Sequence, residues 1–161
     1  MSDQPVLDEM TIKQALKSVH TMYIKQQITL LDALKAEYGT GVVEIVRETN
    51  SRDVCQTFRA LAVQSGKNSI EDLVNVLWEP LRSKGYAFTM EAVDGGIQMN
   101  CTACPFASMY KALGGEEWGY ALYCAADEDL ARAFNPKVGF KREHTLMEGH
   151  QCCDHFYYYL D

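Results

Sequence analysis

The sequence lacks any uninterrupted apolar run of the roughly 18 residues that a membrane span requires. No basic segment followed by an apolar run begins the chain at Met1–Pro5, so we expect no secretory signal and a cytoplasmic protein. Clusters of lysine and arginine are also missing. The 15 basic residues are outnumbered by 22 acidic ones, and the net charge of −7 repels phosphate groups. We therefore expect neither a membrane nor a nucleic acid as a partner.

Familiar nucleotide-binding and hydrolase motifs are absent as well. The sequence contains no GxxxxGK[ST], GxGxxG, HExxH or GxSxG pattern. No repeat, low-complexity run or linker divides the 161 residues, which is a usual length for one domain. We predict a single domain over residues 1–161, with a helical part at about 6–83 and a sheet and cysteine-rich part at about 86–161.

Apolar residues recur at helical spacing through the first half of the chain. We predict helices over Val6–Tyr38, over Val42–Val63 with a break near Thr49–Ser51, and from Ile70 to about Ser83. Ser69 is a good N-cap residue for the third helix, and Asp72 stands three residues later, where a capping box needs a carboxylate.

The period changes to 2 after this helix, which indicates strands. Asp94-Gly95-Gly96 separates two alternating segments and is typical of a tight hairpin turn. We predict strands at about 86–91 and 97–101, helices at 105–113 and 116–134, and a last hairpin of 138–147 and 152–160. This order predicts an α+β fold: an antiparallel sheet of about four strands with N-terminal and central helices packed against it.

Five of the six cysteines lie in the last 61 residues. In a reducing compartment, clustered thiols indicate a metal site, a nucleophile or small buried apolar side chains. Cys104 precedes Pro105, a residue suited to the first helical position, so Cys104 is predicted to be the helix N-cap. The helix dipole would lower the pKa of its thiol and make it a nucleophile. The alternative is that Cys104 only caps the helix and packs.

A metal site is the other interpretation of these thiols. Cys101 and Cys104 form a C-x-x-C pair, and together with Cys124 and Cys153 they could hold zinc or an iron–sulfur cluster. Structural zinc usually has two closely spaced ligand pairs, and only one is clear here. We expect that no cofactor is required, with zinc or an iron–sulfur cluster as the alternative.

Polar residues near the end of the chain complete the candidate site. Asp127 follows Cys124 by three residues on one helix face and could orient a histidine, act as a base or simply face solvent. If Gly149-His150 forms a two-residue turn, one face of the last hairpin carries several polar groups that need partners. In this register Leu146 opposes Cys153, His144 opposes His155, and Arg142 opposes Tyr157.

Several short segments of the second half of the chain form a recognisable series. In chain order they are Cys104-Pro105, Tyr123-Cys124-Ala125-Ala126-Asp127, Phe134-Asn135-Pro136, Phe140-Lys141-Arg142, Thr145-Leu146 and, after Gly149, Cys153-Asp154-His155. This series resembles the L-2-amino-thiazoline-4-carboxylic acid hydrolase family. The resemblance covers roughly residues 100–160 and implies a small cytoplasmic bacterial enzyme that opens the 2-aminothiazoline ring to N-carbamoyl-cysteine.

The resemblance also implies roles for individual residues. The cysteines of the family fall on Cys104, Cys124 and Cys153, its aspartate on Asp127 and its arginine on Arg142, whereas Cys101 and Cys152 look like additions. We expect a hydrolase acting on a small heterocyclic carboxylate. The expected catalytic residues are Cys104, Cys124, Asp127, Cys153 and His155, and the expected substrate-binding residues are Arg142, His144 and Tyr157.

In the expected mechanism, Arg142 holds the carboxylate of the substrate. Either the Cys104 thiolate or a water activated by His155 or His144 attacks carbon C2 of the ring. A cysteine-ligated metal protein and a small-molecule-binding module similar to 4-vinyl-reductase domains are the alternatives. The expected partner is a small-molecule substrate, and assembly into a homo-oligomer is left open.

Overall fold

A computed structural model describes residues 8–161 of the chain. Its helices and strands confirm the α+β class. The predicted helix start at Val6 lies outside the described residues. None of the helices in the described part has the length and apolar character needed to cross a membrane. The elements are α1 (Glu9–Tyr38), α2 (Gly41–Ser65), α3 (Ile70–Leu77), α4 (Glu79–Arg82), β1 (Ala87–Val93), β2 (Gly96–Ala103), α5 (Pro105–Ala112), α6 (Glu116–Gly119), a π-helical segment (Tyr120–Cys124), α7 (Asp127–Phe134), β3 (Val138–Lys141) and β4 (Cys153–Tyr159).

Helix α2 is continuous, so the predicted break near Thr49–Ser51 is wrong. Asn and Ser disfavour helices when their side chains bond the local backbone. Here both bond neighbouring elements instead: Asn50 Nδ2 donates to the carbonyl oxygen of Leu122 at 2.7 Å, and Ser51 Oγ donates to a carboxylate oxygen of Asp129 at 2.5 Å. These bonds attach α2 to the segment that carries the candidate site.

Two predicted helices are each divided in the structure. The capping box of Ser69 and Asp72 begins α3 as predicted, but α3 ends at Leu77 and a separate short helix, α4, follows. Pro80 lies in the first turn of α4 and has no N–H to continue the ladder of α3. The predicted helix over 116–134 consists of α6, the π-helical segment and α7.

The sheet has four antiparallel strands in the order β1-β2-β4-β3. The predicted turn between β1 and β2 is confirmed, and Gly95 adopts a φ of +82°, which glycine takes without strain. Strand β4 lies between β2 and β3, so residues of β4 that point towards the helices come to the middle of the sheet. Cys153 pairs with Cys101 of β2 at one end of this ladder.

The predicted register of the last hairpin is wrong. Strand β3 ends at Lys141 and β4 begins at Cys153, so residues 142–152 form a long connection instead of a two-residue turn. Phe140, rather than Arg142, opposes Tyr157. The shift is two residues, so the alternation of faces is preserved. The Asp154 carboxylate holds the connection by accepting hydrogen bonds from the backbone N–H groups of Glu143 and His144.

Two hydrophobic clusters meet at the candidate site. The larger lies between the sheet and helices α3 and α7, and the smaller lies between α1, α5 and α6. Cys104 and Leu146 pack against both clusters. The most buried members of the larger cluster are Leu73, Met99, Ala131, Val138 and Tyr157, and those of the smaller cluster are Ile24, Tyr110, Trp118 and Met147.

Candidate active site

Asp127 joins two residues of the C-terminal segment at the start of α7. Its Oδ2 accepts a short hydrogen bond from Arg142, and the same oxygen lies 3.3 Å from Nε2 of His155. The three side chains are all largely buried, with exposed fractions of 15% for Asp127, 9% for Arg142 and 4% for His155. Polar and charged side chains at this depth need partners, and each of these side chains has one. Asp127 is therefore not part of a solvated acidic face.

The π-helical segment before α7 holds Arg142 in place. Arg142 Nη1 donates to the carbonyl oxygen of Cys124 at 3.1 Å, and Nη2 donates to the hydroxyl of Tyr120 at 3.1 Å. The carbonyl of Cys124 stands at the end of the segment, where helical carbonyls lack intrahelical partners. Burial tends to lower the pKa of Arg142, but the nearby Asp127 carboxylate and Tyr120 outweigh it, so this pKa is raised. Arg142 is thus a fixed positive charge.

His155 has one ring nitrogen bound and one free. Its ring packs against Trp78 at 5.1 Å and against Phe140 at 5.5 Å between centroids. Nε2 faces Asp127, whereas Nδ1 is buried and has no hydrogen-bond partner. Among the side-chain nitrogens and oxygens of residues 8–161, it is the one buried atom in this condition. Buried polar atoms are almost always paired, so an unpaired one in a cluster of charged groups is unusual.

Cys153 lies on the same face of β4 as His155, since the two are separated by one residue. The backbone N–H of Leu146 donates to its sulfur at 3.2 Å. Its pKa falls from 9.0 to about 6, above all because of the neighbouring Cys101 thiol, and further because of Leu146 N–H, His155 and Arg142. Burial opposes these effects but does not cancel them. These groups favour the thiolate form of Cys153.

The other thiols near the site behave differently. Cys104 is the N-cap of α5 as predicted, and its sulfur accepts a hydrogen bond from the N–H of Ala107 at 3.4 Å. Burial nevertheless raises the pKa of Cys104, so the expected lowering by the helix dipole does not prevail. The pKa of Cys124 is also raised, by burial and by the Asp127 carboxylate. Cys104 and Cys153 both act on the pKa of Cys124, so these sulfurs share one electrostatic environment.

Two predicted substrate-binding residues have their polar groups bonded to other protein side chains. Tyr157 is fully buried, and its hydroxyl accepts a hydrogen bond from Trp78 Nε1 at 3.2 Å. His144 does not oppose His155; it lies on the exposed connection with Nδ1 2.9 Å from Asp154 Oδ2. Because Asp154 alternates with its neighbours along β4, its side chain and that of His144 are on the face opposite His155. His144 lies there because residues 142–152 form a long connection, which the sequence did not predict.

A surface cavity leads to Arg142. It has a volume of about 390 Å³, enough for a small heterocycle, and is lined by charged and aromatic residues. Arg142 and Cys124 are the members of the expected site that line it. The other lining residues are Tyr120, Ala125, Glu128, Phe140, Lys141 and Glu143.

Comparison with known proteins assigns the family. The model of the L-2-amino-thiazoline-4-carboxylic acid hydrolase family matches residues 18–157. The chain belongs to this family. The match includes both the helical N-terminal part and all the residues of the candidate site, which extends the resemblance beyond residues 100–160. No curated protein and no solved structure matches the chain. The family is one of hydrolases, so the chain is an enzyme with a small-molecule substrate.

The expected metal ligands do not form a compact set. These are Cys101, Cys104, Cys124 and Cys153. Within residues 8–161, one group of three histidine, cysteine or acidic side chains has its ligand atoms all within 4.8 Å of one another, and it consists of Glu143, His144 and Asp154. Glu143 and His144 lie on the exposed connection, and Asp154 lies near the start of β4. Tetrahedral zinc needs four ligand atoms about 2.0–2.3 Å from the ion and so close to one another.

Three contributions to the candidate site were not predicted from the sequence. Tyr120 is not among the expected site residues, but its hydroxyl bonds Arg142. The N–H of Leu146 supports the Cys153 sulfur, and Trp78 packs on His155. No residue type marks a backbone N–H as the donor to a particular sulfur, so the bond from Leu146 could not be predicted from the sequence. Trp78 lies far from His155 along the chain, and no local pattern connects the two residues. The run of helix-compatible residues before Asp127 gave no sign of π-helical geometry, which recurs at functional sites.

Proposed function

We propose that this hydrolase opens the ring of 2-aminothiazoline-4-carboxylate to N-carbamoyl-cysteine, with Cys153 as the nucleophile and His155 as the proton donor. The observation that carries the proposal is the unpaired, buried Nδ1 of His155 on the same strand face as the thiol of lowered pKa. An unpaired buried polar atom costs about 1–3 kcal/mol. A substrate group that bonds Nδ1 removes this cost.

The first half of the reaction forms a covalent intermediate. The Cys153 thiolate attacks C2 of the ring, and the electrons of the C2=N bond move to nitrogen. When the C=N bond re-forms, the C2–S bond of the ring breaks, and the departing sulfur takes a proton from Nδ1 of His155. The substrate is then attached to Cys153 as an S-linked isothiourea with a free thiol.

The second half consumes one water molecule. Water attacks C2 of the isothiourea and gives a proton to the now neutral His155. The bond from C2 to the Cys153 sulfur breaks, the thiolate is restored and the urea carbonyl of N-carbamoyl-cysteine forms. Substrate and one water are thus converted to product, and both residues return to their starting protonation states.

Cys153 is preferred over Cys104 and Cys124 because a thiolate, not a thiol, is the nucleophile. The neighbouring Cys101 thiol, the N–H of Leu146, and the groups of His155 and Arg142 favour the Cys153 thiolate. Burial favours the protonated form of the other two thiols.

Asp127 and Arg142 act as positioning groups in this proposal. Asp127 fixes the ring of His155 through Nε2, which leaves Nδ1 directed to the substrate. Arg142 bonds Asp127, Cys124 and Tyr120 and still has donors for a carboxylate, since a guanidinium has five N–H groups. Its position in the cavity wall supports a role in binding the substrate carboxylate.

Replacement of individual cysteines tests the proposal. We expect Cys153→Ser to lower kcat/KM at least a thousandfold, measured by release of thiol from 2-aminothiazoline-4-carboxylate. Mass spectrometry of the rapidly quenched wild-type enzyme should find the substrate mass added to the peptide that contains Cys153. Cys152→Ser is the matched control, because Cys152 is adjacent in sequence and precedes the strand.

Cys104→Ser separates this mechanism from the sequence-based one. Serine keeps the N-cap of α5, so the fold should be retained. If Cys104→Ser abolishes turnover while Cys153→Ser keeps it, the nucleophile is Cys104 and the proposal is wrong. If both variants keep near-normal turnover, a water molecule attacks directly.

A further inference from the structure

Cys101 and Cys153 face each other across two neighbouring strands. They are Cα partners in the antiparallel ladder between β2 and β4. Directly opposed residues project to the same face of a sheet, so their sulfurs point in the same direction. Both cysteines are free thiols in the structure. The fold therefore holds two reduced thiols in register, one of them the proposed nucleophile.

The backbone spacing of this pair suits a disulfide. Opposed residues of antiparallel strands have Cα atoms about 4.5 or 5.5 Å apart, depending on their place in the hydrogen-bond pattern. Disulfides occur at Cα separations of about 4.4–6.8 Å. A bond between Cys101 and Cys153 consequently needs side-chain rotation but no rearrangement of the sheet.

We propose that Cys153 is an oxidation site and that Cys101 is its resolving thiol, so that a hydroperoxide converts the pair to a reversible disulfide. The disulfide itself follows from the strand register. Its effect on turnover rests on the proposed function, because the oxidised enzyme has lost its nucleophile.

Oxidation takes place in two steps. The Cys153 thiolate attacks an oxygen of the hydroperoxide, the O–O bond breaks and the leaving oxygen takes a proton, which gives water or an alcohol and a sulfenic acid at Cys153. The Cys101 thiol then attacks the sulfenic sulfur, loses its proton and releases water. The two thiols lose two electrons, and the hydroperoxide gains them.

The surroundings of Cys101 and Cys153 favour a disulfide between these two residues over a disulfide with another cysteine. The Cys153 sulfur is supported as a thiolate by the N–H of Leu146 and interacts with the Cys101 thiol. Cys153 is 8% exposed and Cys101 is 1% exposed, so Cys153 is the more accessible of the two thiols. Cys152 precedes the strand and is not the cross-strand partner of either residue. Cys101 is therefore the thiol placed to resolve the sulfenic acid before further oxidation.

The test exposes the full-length enzyme to a small excess of hydrogen peroxide. Free thiols are then blocked with iodoacetamide, and unreduced peptides are identified by mass spectrometry. We expect a Cys101–Cys153 disulfide and at least a tenfold loss of turnover that dithiothreitol restores. In Cys101→Ser, whose hydroxyl takes the place of the thiol beside Cys153, Cys153 should instead proceed to sulfinic acid, and dithiothreitol should not restore activity. In Cys101→Ala, which removes the group that lowers the Cys153 pKa, the same product should form more slowly. Circular dichroism checks that both variants are folded.

Cys152→Ser is the matched control and should form the disulfide as the wild type does. A disulfide that joins Cys152 to either residue overturns the proposal, as does sulfinic acid at Cys153 in the wild type at the rate seen in Cys101→Ser. If the Cys101–Cys153 disulfide forms but turnover is unchanged, the disulfide is upheld and the catalytic role of Cys153 is wrong. The two proposals can thus fail separately.

Discussion

One carboxylate oxygen of Asp127 is shared by Arg142 and His155: Oδ2 accepts the hydrogen bond from Arg142 and lies 3.3 Å from Nε2 of His155. The arrangement connects the start of α7, the end of β3 and the middle of β4. A change in Asp127 therefore affects a cation, an imidazole and the packing of the helix on the sheet at the same time.

Asp127→Asn should impair both stability and activity. The amide keeps the size of the side chain but leaves the buried Arg142 without its counter-ion, and breaking such a pair costs about 3 kcal/mol. We expect a corresponding decrease in the free energy of unfolding in urea and at least a hundredfold lower kcat/KM. Asp129→Asn is the control: its carboxylate bonds Ser51, an exposed contact, so the loss should stay within about 1 kcal/mol. Equal effects of the two variants would contradict the assigned role.

Arg142→Lys should raise KM more than it lowers kcat. A lysine ammonium is a single point charge and cannot replace the fork that bonds Asp127, Cys124 and Tyr120 together. We expect KM to increase at least tenfold in initial-rate measurements. Lys141→Gln, a change at a neighbouring residue of the same cavity, should leave KM within about threefold. An unchanged KM in Arg142→Lys would show that this residue does not bind the substrate.

The pH dependence of turnover should follow the Cys153 thiolate. Because the pKa of Cys153 is lowered to about 6, the reactive anion is lost as the pH falls through 6. We expect the acid limb of the kcat/KM profile to rise between pH 5 and 7. Alkylation of Cys153 by iodoacetamide should show the same midpoint. Cys104, whose pKa is raised, should react only at alkaline pH, and early alkylation of Cys104 would contradict the assignment.

His144→Gln should leave turnover nearly unchanged. His144 lies on the exposed connection and bonds Asp154 on the face of β4 opposite His155. We expect kcat/KM within about threefold of the wild type, whereas His155→Gln should reduce it at least a hundredfold. A large effect of His144→Gln, measured in the same assay, would show that the connection folds over the site during catalysis.

Chelation should not affect the enzyme. The proposed reaction uses only protein groups and water, so dialysis against a chelator is expected to leave turnover within the error of the assay. Elemental analysis of the purified protein provides the second measurement. Stoichiometric zinc or iron, with loss of activity on its removal, would instead assign Cys101, Cys104, Cys124 and Cys153 as ligands.

The features that the sequence predicted correctly depend on neighbouring residues. The capping box of Ser69 and Asp72, the turn at Gly95 and the Cys104 N-cap are each set by a few consecutive side chains and backbone angles. The apolar periods likewise indicated the helices and the four strands. Segments broken by Pro80 or by the π-helical geometry were predicted less well, because there a local backbone constraint interrupts a continuous apolar pattern.

The tertiary structure decided the register and the chemistry. Pairing of β4 with both β2 and β3 places Cys153 opposite Cys101 and leaves residues 142–152 as a connection, and no local pattern determines such contacts between distant segments. For the same reason the lowered pKa belongs to Cys153, whereas the sequence predicted it for Cys104. The dipole at Cys104 is a local property readable from Pro105, but burial, which depends on the whole fold, outweighs it. Cys153 is favoured as a thiolate by groups from three separate parts of the chain.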